Sequence, residues 1–315
     1  MNPHSLGLGL LLAALGLSLL ALAPLSYPVQ RDTYTPVAVV DITQSMNVED
    51  YRLEGRAVSR LEYVKWNLRH ALPDLPCGSK LGLAVFTGRR PFLLFEPIEV
   101  CTGYAALDAA IAQLDWRMAW EADSRIADSL GKSMEAFAAL GTLVFLTDGQ
   151  EAPPLNSRYR PDLQAYRGKA AGLIVGVGGL TPAPIPKFNA EGGREGFYRE
   201  DEVLQRSTFG LPEMAPDQVE NYNARNNPFG DPKGGGSEHL SALREDYLRQ
   251  LAQETGLLYH RLETPESFRL ALLEPSLATP KTLSTDLRWL PASLALLALL
   301  ASYALTWLNS KPPKP

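Results

Sequence analysis

Apolar runs and polar breaks alternate along most of the chain, and their spacing predicts strands and helices in turn. Residues 37–43, "VAVVDIT", are nearly all apolar, the pattern of a strand buried on both faces of a parallel sheet. Ala57, Leu61, Val64, Leu68 and Leu72 recur at helical spacing and predict a helix over 55–72, ended by Pro73 and Pro76. Two strand-like runs around "GRR" at 88–90 predict a hairpin. A short helix through 104–114 follows, then a longer one through "RIADSLGKSMEAFAAL" with Gly141 as its C-cap. "TLVFLTDG" and "AGLIVGVGG" read as further buried strands. A helix through "LSALREDYLRQLAQETG", the strand "LLYHRL" and a helix opened by Thr264 and Pro265 close the series. The expected fold class is α/β, a doubly wound and mostly parallel sheet with helices on both faces. Residues 91–98 form its antiparallel edge strand.

Three regions break this pattern. Residues 180–237 are rich in Pro, Gly, Asn and charge, and read as an insertion in one domain spanning 34–275. Residues 6–23 carry no charge and are about long enough to cross a hydrocarbon core. Two readings of them stay open, a retained anchor with 1–33 as anchor and linker, or a cleaved secretory signal. "ALA" at 21–23 resembles a cleavage box, but Pro24 follows it and "MNPHS" has no Lys or Arg. Residues 276–315 comprise a linker, an uncharged stretch at 289–308 with Trp289 and Trp307 at belt positions, and a tail. Lys311 and Lys314 place that tail in the cytoplasm by the positive-inside rule. Two spans then put the middle outside, so the expected location is the inner membrane with the domain facing the periplasm.

Charge and cysteine count narrow the classes. A net charge of −5 with no strong basic run excludes nucleic acid as a main partner. Cys77 and Cys101 are too far apart for a CxxC motif. Carrying the hairpin register outward from Gly88 facing Pro91 brings them opposite each other, where an oxidising compartment closes a disulfide. The alternative is two free thiols at a sheet edge.

Ligands of open parallel sheets bind beyond the carboxyl ends of the strands. The first strand delivers Asp41, Thr43 and Ser45 there, and "TLVFLTDG" delivers Asp148. "DSRIADSL" brings Ser124 to the same edge, as a ligand or as a helix N-cap, with Asp123 as an alternative ligand. Two carboxylates and three hydroxyls without imidazole or thiolate suit a hard divalent cation, Mg²⁺, Mn²⁺ or Ca²⁺. An open coordination position on such a cation accepts a carboxylate from a partner protein.

This set resembles the metal-ion-dependent adhesion site of von Willebrand factor A domains, Asp-x-Ser-x-Ser with a later Thr and a strand ending in Thr-Asp-Gly. Thr43 stands for the first Ser and Ser124 for the Thr, and the resemblance covers residues 34–275. "DITQSMNVEDY", "LPCGSKLGLAVFT", "DWRMAWEADSRIADSL" and "FLTDGQEAPPL" are further similar to membrane-anchored A-domain proteins of the MxaL type. That resemblance implies a role in maturing periplasmic methanol dehydrogenase, by calcium insertion or assembly, with the dehydrogenase or its other maturation proteins as partner. The alternative is an envelope-stress module like the aerotolerance A-domain proteins that work with an AAA+ ATPase. Trp116 and Trp120 read either as core or as aromatics that contact the partner at the rim. Glu151 reads as approaching the metal or as a solvated loop residue. The chain has no G-x-S-x-G elbow and no P-loop, "GVGG" lacks dinucleotide-binding spacing, and a non-enzyme is expected.

Overall fold

The computed structural model describes residues 3–121, 123–152, 161–189, 191–199, 202 and 239–309. Most of the expected insertion, part of "QEAPPL", and Lys311 and Lys314 lie outside them. Contacts divide the chain into two units, Met1–Asp32 with Pro280–Pro315, and Thr33–Thr279.

In chain order, α1 (Pro3–Ala21) and β1 (Ser26–Thr33) precede the central strand β2 (Pro36–Asp41). A ribbon of β3 (Tyr51–Leu53) and β4 (Arg56–Val58) leads to α2 (Arg60–Ala71), β5 (Lys80–Thr87) and β6 (Arg90–Glu99). Next come α3 (Tyr104–Ala112), α4 (Ile126–Phe137), β7 (Thr142–Thr147) and β8 (Gly172–Gly176). Short strands β9 (Ala183–Pro184), β10 (Pro186–Phe188), β11 (Arg194–Phe197) and β12 (Leu240–Ser241) precede α5 (Glu245–Thr255), β13 (Leu258–Arg261) and α6 (Pro265–Leu272). The chain returns through β14 (Thr279–Asp286) to α7 (Trp289–Asn309).

The larger unit is built on a six-stranded sheet of order β13-β8-β7-β2-β5-β6. Its strands are parallel except β6, which is antiparallel at the edge as expected. All six residues of β2 are buried, because the sheet is covered on both faces. Ala38 and Val40 pack with Leu83, Val85 and Leu146 under α2, α3 and α6. Val37 and Val39 pack with Phe86 and Phe145 under α4 and α5, and those two rings stack 4.7 Å apart. Alternate residues of one strand therefore anchor two cores, and Asp41 at its end is held from both sides.

Element boundaries differ from the sequence reading where a turn or long-range pairing intervenes. Residues 51–58 form the β3–β4 ribbon, because Glu54 and Gly55 both adopt positive φ and close a tight turn. The helix starts at Arg60 instead, with Ser59 as its cap accepting from the Glu62 amide. α5 starts at Glu245 because Leu240 and Ser241 pair with Pro184 and Ala183. The helix before Gly141 stops at Phe137. Gly141 serves a close approach instead, since a Cβ there would overlap the Thr35 carbonyl.

The hairpin turns one residue earlier than expected, pairing Thr87 with Arg90. Two irregularities near Leu83 then shift the register so that Lys80 faces Glu99. Beyond them Cys77 and Cys101 form the expected disulfide, with Cα atoms 5.4 Å apart.

The smaller unit pairs β1 with β14 and packs α1 against α7. The facing positions are small, with Gly7 and Ala14 on one helix and Ala295 and Ser302 on the other. Ser302 Oγ donates to the Gly7 carbonyl at 3.4 Å, and most of the leucines face outward. Among the described residues, Trp289–Trp307 alone is long and apolar enough to cross a membrane. Leu6–Ala21 is apolar but shorter, roughly 24 Å of helix against a core of about 30 Å. Of the two expected flanking spans, this measure supports the one at Trp289–Trp307.

Candidate functional site

Asp41 ends the central strand fully buried. Its Oδ1 accepts from the Thr43 amide at 2.9 Å and from Thr43 Oγ1 at 2.7 Å. Its Oδ2 accepts from Thr147 Oγ1 at 2.7 Å, and Thr43 Oγ1 lies 3.2 Å from Ser45 Oγ. A single 3₁₀ turn over Gln44–Asn47 follows the strand and keeps these hydroxyls on one side.

Ser124 reaches the same place by an independent route. Its backbone bridges Gly88, the residue after β5, and Ala152, five residues beyond β7. Those strands flank β2, which brings the Ser124 segment to the same carboxyl edge of the sheet as Asp41. The Ser124 hydroxyl is buried and has no hydrogen-bond partner. It does not cap α4, because Glu151 performs that task.

Asp148 is also fully buried. Its Oδ1 accepts from the Gln150 amide at 2.9 Å. Its Oδ2 accepts from Arg60 Nη1 at 2.7 Å and Ser241 Oγ at 2.9 Å. Arg60 is 0% exposed and also donates through Nε and Nη2 to Asp50 Oδ2, at 3.0 and 2.7 Å. Burial alone would depress the Arg60 guanidinium, but Asp148 and Asp50 outweigh it and hold it above its ordinary value. Burial first, then the Asp148 charge, push the Asp41 carboxyl up to about 7 against the pull of its threonine hydrogen bonds.

These donors fit a hard cation. Every one is an oxygen, Ser124 Oγ is an orphan, and Asp41 Oδ2 and Asp148 Oδ1 each have only one hydrogen bond. Among the described residues the one cluster of three His, Cys, Asp or Glu groups is Cys77, Glu99 and Cys101, whose sulfurs are spent in the disulfide.

Trp116 is half-buried and stacks on Phe188 at 5.1 Å, whereas Trp120 is 47% exposed and meets Phe92 in a T-shaped contact. Together with Thr43, Gln44 and Asn189 they line a cleft of about 470 Å³. The two tryptophans thus share a rim with the Asp41 loop.

Glu151 is turned into the protein. Its Oε2 accepts from the Ile126 amide, and its Oε1 from the Ala127 amide and Tyr247 hydroxyl. It is the buried anion at the start of α4. Burial raises its carboxyl to about 7 in spite of these bonds. A raised folded-state value destabilises the fold as pH climbs from the unfolded value through 7. Without added cation, the melting temperature should therefore fall between about pH 5 and pH 8. Glu151→Gln should flatten that slope in calorimetry, leaving the part due to Asp41; an unchanged slope would remove Glu151 from the account.

Sequence reasoning missed Arg60, Asp50, Thr147 and Ser241. One signal was available. Arg60 lies one helical turn before Val64 on the apolar stripe of α2, and a charge in a buried row demands a buried partner.

The sequence matches no protein-family model, and no curated protein matches it. Solved structures do. An aerotolerance-related membrane protein from Bacteroides fragilis NCTC 9343 matches 76% of this chain and 97% of its own, at 18% identity and a TM-score of 0.52. A conserved hypothetical protein, BatB, from Bacteroides thetaiotaomicron matches 77% and 97% at 16% identity and 0.49. A von Willebrand factor type A protein from Catenulispora acidiphila matches 84% and 43% at 12% identity and 0.40. The likeness to the Bacteroides fragilis protein is one of fold, a mixed α/β unit with a mainly parallel sheet.

Proposed function

We propose that the chain is a membrane-anchored A-domain protein that holds a divalent cation and uses it to grip a carboxylate on a partner protein. Asp41, Thr43, Ser45, Ser124 and Asp148 hold the cation, Mg²⁺ or Ca²⁺. When bound, the cation supplies a Lewis-acidic position for an incoming carboxylate. The residues of the chain orient that position and exclude water from its floor. The observation that carries this reading is the buried Ser124 hydroxyl, which has no hydrogen-bond partner and lies at the sheet edge that also carries the buried Asp41 and Asp148. A hydroxyl left in that state is costly unless something else takes its lone pair. The donor set of buried oxygens supports recognition through a cation, and that is the role assigned.

The biological setting that the comparisons favour is an envelope-stress module. The chain shares its fold with the Bacteroides fragilis aerotolerance-related membrane protein, and by resemblance it would act with an AAA+ ATPase. Trp289–Trp307 provides the anchor in the inner membrane, with the domain on the periplasmic side where Cys77 and Cys101 oxidise. The second reading, maturation of methanol dehydrogenase, rests on the quoted motifs, including the cysteine hairpin and "DWRMAWE".

A gene deletion separates the two. Sensitivity to oxygen with normal, calcium-replete dehydrogenase supports the first reading; inactive, calcium-poor dehydrogenase rescued by calcium supports the second. In either setting Trp120→Ala should weaken partner capture by about 2 kcal/mol, the scale of an aromatic hot spot, with cation affinity unchanged. Full partner affinity in that variant would take Trp120 out of the interface.

A further inference from the structure

We propose that Arg60 is a positioning residue for the cation site, leaving Asp148 a single free lone pair to offer; the inference rests on the metal reading above. A carboxylate oxygen accepts about two hydrogen bonds. Arg60 Nη1 and Ser241 Oγ fill both places on Asp148 Oδ2, at 2.7 and 2.9 Å. The Gln150 amide fills one on Oδ1, so one remains. Asp148 therefore meets a ligand through Oδ1 alone, in an orientation set before the ligand arrives.

The guanidinium is itself held rigidly. Asp50 Oδ2 takes its Nε and Nη2, and the Gly179 amide donates to the same oxygen at 2.8 Å. Arg60 Nη1 donates to Ser241 Oγ at 2.6 Å and to the Ser45 carbonyl at 3.4 Å, and Nη2 to the Ser241 carbonyl at 3.2 Å. One buried side chain thus joins Asp148 to the Ser45 loop and to residues 179 and 241. These two residues bracket the segment that interrupts the strand–helix alternation. A lysine carries the same charge but not the planar fork that serves these partners at once.

Charge and position pull in opposite directions, which makes the inference testable. A nearby cation repels the metal, so if charge were all that mattered, Arg60→Lys would leave affinity unchanged. If position matters, Arg60→Lys loses it.

The experiment is a Mn²⁺ titration of the full-length protein in detergent, following free Mn²⁺ by electron paramagnetic resonance, with circular dichroism confirming the fold. Arg60→Lys should bind about tenfold or more weakly, the usual cost of losing an outer-shell partner. Ser241→Ala, which changes no charge, should bind more weakly by a smaller factor. A role in folding alone would lower the melting temperature of Arg60→Lys yet leave its Mn²⁺ affinity at the wild-type value, and that result overturns the inference. If Arg60→Lys does not fold, Ser241→Ala decides, and wild-type affinity there overturns it equally. A wild-type protein that binds no Mn²⁺ is a different failure, because it removes the metal reading and this inference together.

Discussion

Asp41→Asn should abolish cation binding while leaving the protein folded. Asparagine keeps an acceptor for the Thr43 amide and hydroxyl, and the Thr147 hydroxyl can rotate to accept from the new amide group. The substitution also removes a carboxylate that burial and Asp148 make costly, so the melting temperature without cation should stay level or rise. A cation, however, loses a charged ligand at the centre of the set. Even outer-shell losses weaken metal sites by about 10–100-fold, and loss of a direct carboxylate should exceed that range. In cells the variant should match the gene deletion, whichever biological setting holds. A folded variant with full function would show that Asp41 serves only the sheet.

The second large effect is on stability. Cys77 and Cys101 close a loop across 24 residues at the edge of the sheet. Removing that constraint from the unfolded chain should cost between roughly 3 and 4 kcal/mol. For a domain of this size that corresponds to roughly ten degrees in melting temperature. Cys77→Ala with Cys101→Ala should show that loss by calorimetry, while the cation affinity stays near wild type because the bond lies at the opposite end of β5 from Thr87 and the site. A double variant as stable as the wild type would mean that the β5–β6 pairing holds this edge unaided.

The middle of the sheet was legible because β2, β7 and β8 are buried on both faces. "VAVVDIT" and "TLVFLTDG" carry that fact as continuous apolar runs, and the same runs place Asp41 and Asp148 at one edge. Ser124 was harder, since its place depends on backbone bridges to Gly88 and Ala152 that no local pattern encodes. Arg60 was missed, and Glu151 was read only as approaching the metal or as a solvated loop residue, for a related reason. Each is buried because a partner far along the chain neutralises it or is capped by it: Asp148 for Arg60, and the start of α4 for Glu151. The disulfide was reached by a register that differs in detail. The turn one residue earlier, at Thr87 and Arg90, and the two later irregularities offset one another, so the cysteines still meet.

The most direct measurement is calorimetric titration of the purified full-length protein with Mg²⁺ and Ca²⁺, beside Asp41→Asn and Ser124→Ala. One cation per chain in the wild type, lost in Asp41→Asn and weakened in Ser124→Ala, is the predicted result. Absence of saturable binding, or binding of equal strength in all three proteins, would contradict the account.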